Sequence, residues 1–394
     1  MSHTVRLIIC LTIAGMYLPA QAQKSDLIKI IDTSLQKAVV NYTYLSTQLS
    51  PDRFPSNIDP ATKNIKTTGS EPWVGGFYPG SLLYLYEATN DTLLYSEAIR
   101  KLKVLEKEKT NTTSHDLGFM MNCSFGNAYR LKPDEWYKQV MITSARSLAS
   151  RFSEKVGCIR SWDSKPDQFM VIIDNMMNLE LLFAATRFTG DSSFYKIAIT
   201  HANTTIANHF RPDYSSYHLV IYDPKTGKVQ KKQTVQGAAD ESSWARGQAW
   251  GLYGFTMTYR ETKDKKYLDQ ATHIAEYMLK HLPAGNVFYW DFNAPATAPA
   301  YHDASSTAIA CSALIELANY VKRKDRHKYR TTAIAMLRAL SSPEYFATPK
   351  EYNGFVLKHA VGNLPHNSEI DVPLIYADYY YIEALMRYRN MLAE

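Results

Sequence analysis

The sequence predicts an all-α protein, a single-domain (α/α)6 toroid in which six helical hairpins close into a barrel. Three observations predict it. Apolar residues recur at helical spacing along nearly the whole chain. Strand patterns, meaning β-branched alternation closed by Asn-Gly or Asp-Gly turns, are almost confined to Tyr217–Val229. Segments that are apolar on every side alternate with segments charged on one side, and a pair recurs roughly every 45 to 70 residues.

In chain order, Asp26–Leu45 is amphipathic, with Leu27, Ile30, Ile31, Leu35, Val39 and Val40 at helical spacing. After a polar loop, Trp73–Ala88 is apolar all round and Thr92–Glu106 carries its charges on one side. The same order returns in Asp116–Tyr129 and Asp134–Phe152, then in Asp174–Phe188 and Asp191–Phe210. A longer linker turns at Asp223-Pro-Lys-Thr-Gly227; Ser243–Tyr259 and Lys265–Leu282, then Asp303–Val321 and Arg326–Leu340, follow it. The aromatic segment Asp371–Met391 pairs with the first helix to complete a sixth hairpin. Inner helices of a toroid touch neighbours on every side and so read apolar throughout, whereas an open solenoid would want distinct capping repeats. If the inner helices run parallel, their starts at Trp73, Asp116, Asp174, Trp244, Asp303 and Asp371 ring one funnel.

The first 22 residues read as a secretory leader, with Arg6, the apolar run Leu7–Leu18 and the small-residue site Pro19-Ala20-Gln21-Ala22. Cleavage after Ala22 leaves residues 23–394 as the catalytic domain and places it in the periplasm or outside the cell. The leader's run is too short to anchor stably, and no later stretch reaches the roughly 20 apolar residues that spanning requires. Past the leader remain Cys123, Cys158 and Cys311, an odd number without close spacing, which suggests buried thiols rather than disulfides or a thiolate metal site. The formal net charge of +6 includes Arg6 and is spread without basic runs, so no nucleic-acid partner is expected. It is compatible with a small acidic substrate. The 28 Tyr and 6 Trp supply apolar faces with polar tips, as sugar sites and ordinary cores both do.

Chemistry concentrates in a few motifs. Asp116 and Asp174 stand at equivalent ends of neighbouring inner helices, and two carboxylates across one pocket are the minimum equipment for acid/base work on a glycoside. Each is equally readable as an N-cap, whose helix end would lower its pKa, while burial and mutual repulsion would raise one of them. In Trp244-Ala-Arg246-Gly-Gln-Ala-Trp250, Arg246 and Trp250 share a helix face. There Arg246 is suited either to a substrate carboxylate or to tying helix ends together. His218 and Gln236 flank that run through a hairpin. His-Glu-x-x-His, Cys-x-x-Cys, Gly-x-x-x-x-Gly-Lys and Gly-x-Ser-x-Gly are all missing from the chain, and neither a metal nor a cofactor is expected.

Taken together, Trp73-x-x-Gly-Phe-x-Pro-Gly80, His115-Asp-Leu-Gly-Phe119, Asp174-Asn-Met-Met-Asn-Leu179, Trp244-Ala-Arg-Gly-Gln-Ala-Trp-Gly251, Asp303-Ala-Ser-Ser306 and Ala377-Asp-Tyr-Tyr-Tyr-Ile-Glu-Ala-Leu385 resemble the unsaturated glucuronyl hydrolases, glycoside hydrolase family 88. The resemblance spans the chain beyond the leader, in order. It implies the same toroid, and an unsaturated uronic-acid disaccharide or oligosaccharide of glycosaminoglycan type as substrate. The implied reaction is hydration of the C4=C5 vinyl ether that polysaccharide lyases leave on the non-reducing uronic acid. By motif, Asp174 is the acid/base and Asp116 its partner, while Trp73, His115, His218, Gln236, Trp244, Arg246, Trp250 and Ser368 are substrate-binding. Ser242 stands where some relatives carry an aromatic residue, which leaves the next sugar's identity open. The alternatives are an unsaturated rhamnogalacturonyl hydrolase acting on pectin fragments and a periplasmic oligosaccharide-binding protein without turnover. Oligomeric state is not legible.

Overall fold

The computed structural model describes residues 3–294 and 300–393, with side chains over 25–294 and 300–392. Its helices in order are α1 (His3–Ser46), α2 (Phe77–Thr89), α3 (Thr92–Leu105), α4 (Asn127–Leu131), α5 (Glu135–Ala149), α6 (Leu179–Thr189), α7 (Ser192–His209), α8 (Ala245–Thr262), α9 (Lys265–Lys280), α10 (Ala304–Leu317), α11 (Arg323–Leu340) and α12 (Ile375–Ala393). The expected leader falls where side chains lie outside the described residues, and the backbone from His3 runs on as helix into α1. Among the described residues no helix is long and apolar enough to cross a membrane.

The inner ring is α2, the segment Gly118–Gly126 with α4, then α6, α8, α10 and α12, and it closes because α12 packs back on α2. The expected toroid therefore forms, and the open solenoid does not. Pattern explains placement: every residue of α10 is buried, whereas α9 buries only Tyr267, Gln270, Ala271, Ile274, Ala275, Tyr277 and Met278, a one-sided stripe at helical spacing. Among the described residues Cys123, Cys158 and Cys311 are free and buried, as expected.

Three of the inner-to-outer turns share one device, Thr89-Asn90-Asp91, Thr189-Gly190-Asp191 and Thr262-Lys263-Asp264. The middle residue ends the inner helix in the left-handed region, at φ 60, 75 and 58° respectively. Each Asp then caps the outer helix, accepting from the backbone N–H of Leu93, Ser193 and Lys266. Toward these turns the barrel interior is held by charge. Arg260 and Arg387 both bond Glu316, and Tyr84, Tyr253 and Ser312 all donate to Glu383.

At the opposite end α2, α4 and α6 are preceded by 3-10 or π-helical turns, and three expected boundaries are corrected. Asp116–Tyr129 was expected as one helix, yet Gly118–Gly126 is π-helical before α4 begins. The helix expected from Asp174 opens with 3-10 turns over Ile173–Asn178, and Val171 and Ile172 before it are strand. The last helix begins at Ile375, not Asp371, whose carboxylate is occupied by His359. Glycines explain the crowding: a Cβ at Gly118 would lie 2.3 Å from Asn178 Cα, and one at Gly76 would lie 2.3 Å from Met120 O. Neighbouring starts can thus approach backbone to backbone.

Short strands fill the loops: β1 (Phe54–Ile58), β2 (Ile65–Thr68), β3 (Phe152–Ser153), β4 (Cys158–Ile159), β5 (Phe169–Ile172), β6 (Leu219–Tyr222) and β7 (Val229–Gln233). The hairpin expected over Tyr217–Val229 is β6 and β7, and β5, for which no strand was expected, joins them as an antiparallel third strand with Ile172 opposite Leu219. Gly118→Ala is expected to lower stability by about 1–3 kcal/mol, because the methyl group must displace backbone. Asp264→Ala should cost about 1 kcal/mol through the lost cap. Urea midpoints of the two variants check both, and a Gly118→Ala midpoint equal to wild type would contradict the close-approach reading.

Candidate active site

The β5–β6–β7 sheet aims much of the site. Ile173 N–H donates to His218 O at 2.9 Å, continuing the β5–β6 ladder, so Asp174 leaves one strand beside the point where His218 enters the next. Gln236 follows β7 and donates to Gly362 O at 2.9 Å. On the other side, Phe119 N–H donates to Asn178 Oδ1 at 2.9 Å, which fixes the π-helical turn that follows His115 and Asp116 against the turn carrying Asp174.

Between them lies a cavity with about 450 Å³ of empty space, walled by Trp73, His115, Asp116, Asp174, Gln236, Trp244 and Arg246 together with Phe119, Trp162 and Ile172. Four inner-helix starts, at Trp73, Asp116, Asp174 and Trp244, therefore converge as expected. Asp303 does not join them: fully buried, it caps α10 through Ser305 and Ser306 and accepts from Val361 N–H.

Asp174 is not a cap. The 3-10 turn begins without any side-chain cap, and Asp174 Oδ1 is buried with no hydrogen-bond partner. Asp91, Asp134, Asp191, Asp264 and Asp303 all cap helices through their carboxylates, so the contrast is internal to the chain. Burial pushes the Asp174 carboxyl up to about 7 and the charge of Asp116 adds to the rise. The Arg246 guanidinium, the residue's own N–H and the Trp250 indole pull the other way. Desolvation wins, as it does for a carboxyl removed from water without full pairing.

Each carboxylate faces a buried histidine. His218 Nδ1 accepts from the N–H groups of Val235 and Gln236 at 3.1 and 3.3 Å, so the proton sits on Nε2, which lies 3.7 Å from Asp174 Oδ1. Burial drops His218 to about 3, which keeps the ring neutral. His115 Nδ1 faces the Asn178 amide at 3.5 Å and its Nε2 stands 3.5 Å from Asp116 Oδ2, with burial again disfavouring the charged ring.

Four expectations change. Trp250 is fully buried and absent from the cavity wall, its indole packed against Phe119 and Tyr380, because the helix turn that brings Trp244 to the cavity carries Trp250 inward. His218 likewise backs Asp174 rather than lining the cavity. Ser368 is exposed on the Asn363–Ser368 hairpin, away from the wall, because only the hairpin's base at Gly362 turns inward. Arg246 does reach the wall, but its two Nη atoms bond Val361 O and Gly362 O, and its guanidinium lies 4.4 Å over Trp244. It ties the helix start to the Val361–Gly362 backbone and presents charge, not a free bidentate fork. Ser242 is also turned inward, donating to Asp291 Oδ2 at 2.7 Å, so it is a loop anchor rather than a subsite position.

Phe119 and Trp162 were not singled out beforehand. Phe119 lay within a quoted motif, whereas Trp162 stands alone in the polar loop Arg160–Gln168, where the only signal was an indole with no apolar neighbours. Among the described residues no group of three or more His, Cys, Asp or Glu side chains is placed to hold a metal ion.

Because the folded-state pKa of Asp174 exceeds its ordinary 3.8, the folded protein holds a proton that the unfolded chain releases, and stability falls as pH rises from about 4 through about 7. Asp174→Asn should therefore gain on wild type by about 2–3 kcal/mol between pH 5 and pH 8. Urea unfolding at both pH values measures this. A pH-independent difference would contradict the raised pKa.

Comparison with known proteins agrees with the geometry. The sequence profile of Glycosyl Hydrolase Family 88 matches residues 51–387. The chain is 42% identical over 367 residues to an unsaturated glucuronyl hydrolase of Formosa agariphila, covering 92% of this chain and 90% of that protein. It is 32% identical over 373 residues to an unsaturated chondroitin disaccharide hydrolase of Streptococcus pneumoniae, covering 93% and 92%. A crystal structure of an unsaturated glucuronyl hydrolase specific for heparin superposes with a TM-score of 0.90 at 45% identity, covering 93% of this chain and 98% of that one. A toroid with a walled acid pair at its inner-helix starts and a profile match over nearly its whole length make this chain a glycosidase belonging to glycosyl hydrolase family 88.

Proposed function

We propose that the protein removes the 4,5-unsaturated uronic acid from the non-reducing end of lyase-generated glycosaminoglycan oligosaccharides by hydrating the C4=C5 vinyl ether. The observation that carries this reading is the buried Asp174 carboxyl, its Oδ1 without a hydrogen-bond partner and its pKa pushed up by burial, in the wall of a cavity it shares with Asp116. A vinyl ether is protonated at carbon, which demands an acid that still holds its proton near neutral pH. Asp174 gives its proton to C4, and the positive charge that develops is shared between C5 and the ring oxygen. The Asp174 carboxylate then takes a proton from water as the water oxygen bonds to C5, which restores the neutral acid. The resulting hemiketal breaks its C5–O bond to give a ketone, and C1 releases the neighbouring sugar. Asp116 keeps a second carboxylate beside the developing positive charge. The Arg246 charge at the wall suits the uronate, and the Trp73, Trp162 and Trp244 rings provide faces for the sugars.

Export to the periplasm is part of the same proposal and is supported by Arg6, the run Leu7–Leu18 and Ala22. Amino-terminal sequencing of secreted material should begin at Gln23; a mature chain retaining Met1 contradicts it.

A panel of unsaturated disaccharides from chondroitin, hyaluronan, heparin and rhamnogalacturonan, followed by loss of double-bond absorbance, tests the substrate class. Turnover of the glycosaminoglycan members supports the proposal, preference for the rhamnogalacturonan member indicates the pectin-directed activity, and tight binding without turnover indicates a binding protein. Asp174→Asn should lose about 10²- to 10⁴-fold in kcat while binding persists. In wild type, kcat/KM should decline as pH rises through about 7, where the acid loses its proton. An Asp174→Asn enzyme within a few-fold of wild type removes the assignment.

A further inference from the structure

We propose that Arg151 is a positioning residue of this hydrolase, which fixes Asp116 and Trp162 in the cavity wall by clamping the two loops that carry them. The proposal rests on the roles given above to Asp116 and Asp174. Arg151 follows the end of α5 and stays outside the cavity wall. Its residue exposure is 9%, low enough that each of its donors needs a protein acceptor.

All three guanidinium nitrogens have one. Nε donates to Arg160 O at 2.9 Å and Nη2 to Ser161 O at 3.2 Å, while Nη1 reaches both Asp163 Oδ2 at 2.8 Å and Thr112 O at 2.5 Å. The first three acceptors bracket Trp162, which lines the cavity, and the fourth opens the stretch that ends in His115 and Asp116. The bracing continues to the acid itself. Ser161 Oγ accepts from Ile172 N–H at 3.0 Å, and the Asn175 amide donates to Ile159 O at 2.8 Å, so residues on both sides of Asp174 are pinned to the same loop.

These loops lack a regular ladder at the points Arg151 contacts, and a planar fork with fixed donor directions holds carbonyls of separate segments at set distances. An ammonium could satisfy only part of that set. Asp163 pairs with the guanidinium, and after burial the Arg151 charge also lowers the His115 pKa, against the pull of Asp116.

The test is a double-mutant cycle with the unsaturated disaccharide that wild type turns over fastest. Arg151→Gln is expected to lower kcat/KM by about 10- to 100-fold, mostly in kcat, since small displacements of reacting groups are costly. Arg151→Lys should recover part of the loss. Combined with Trp162→Phe, Arg151→Gln should lose less than the product of the two single effects, because the same wall is already displaced. A merely structural arginine would give independent, multiplying effects. Thermal melting accompanies each variant, and if Arg151→Gln does not fold, Arg151→Lys and Asp163→Asn carry the cycle. Activity within twofold of wild type in a folded variant, or strictly multiplicative losses, overturns the proposal. An inactive Asp174→Asn alongside a fully active Arg151→Gln would sink this inference alone, whereas an active Asp174→Asn would sink the site assignment beneath it.

Discussion

Removal of the Asp174 carboxyl from water is the constraint on which the rest of the structure depends. Its dehydration holds the proton near neutral pH, and the surroundings adjust that balance without neutralising it. Arg246 supplies countercharge, but both of its Nη atoms are committed to the Val361–Gly362 backbone, so it cannot swing across to pair with Asp174. Full pairing would drop the carboxyl back into the ordinary carboxylate range and end its use as an acid. Asp116 on the same wall pushes the other way. The site thus keeps a group that weakens the fold at neutral pH, a trade common where activity requires a destabilised residue.

The architecture makes such a group tolerable. Five other aspartates cap helices in the usual manner, four of them starting outer helices and one starting α10. Asp116 and Asp174 escape that use: the segments beside them are π-helical and 3-10 turns that begin without a side-chain cap. Gly76 and Gly118 let these turns meet backbone to backbone. The closed ring, the charged network around Glu316 and Glu383, and the Thr-x-Asp turns hold the far end rigid. Irregularity is thereby concentrated where the chemistry is.

The toroid was legible because burial on all sides versus one side writes two distinct patterns, and α9 and α10 show both plainly. The helix starts were less legible. A π-helical turn such as Gly118–Gly126 has the same apolar content as an α-helix, and β5 is a four-residue apolar run that periodicity cannot separate from helix. Within the site, motif and position named Asp116, Asp174, Trp73, Gln236, Trp244 and Arg246, which the fold brings to one cavity wall. Trp250 and Ser368 lie off that wall, one because a shared helix face does not say which way that face turns, the other because a hairpin tip can leave a site its base belongs to. Trp162 went unnoticed because its placement depends on a clamp from Arg151, a long-range contact that no local pattern records.

The central claim is that burial keeps Asp174 protonated near neutrality. Its most direct test is ¹³C NMR titration of the aspartate carboxyl carbons, with the Asp174 signal assigned by its loss in Asp174→Asn. The account predicts a midpoint near 7. A midpoint near the ordinary value of about 4 would contradict it, whatever the enzyme's activity.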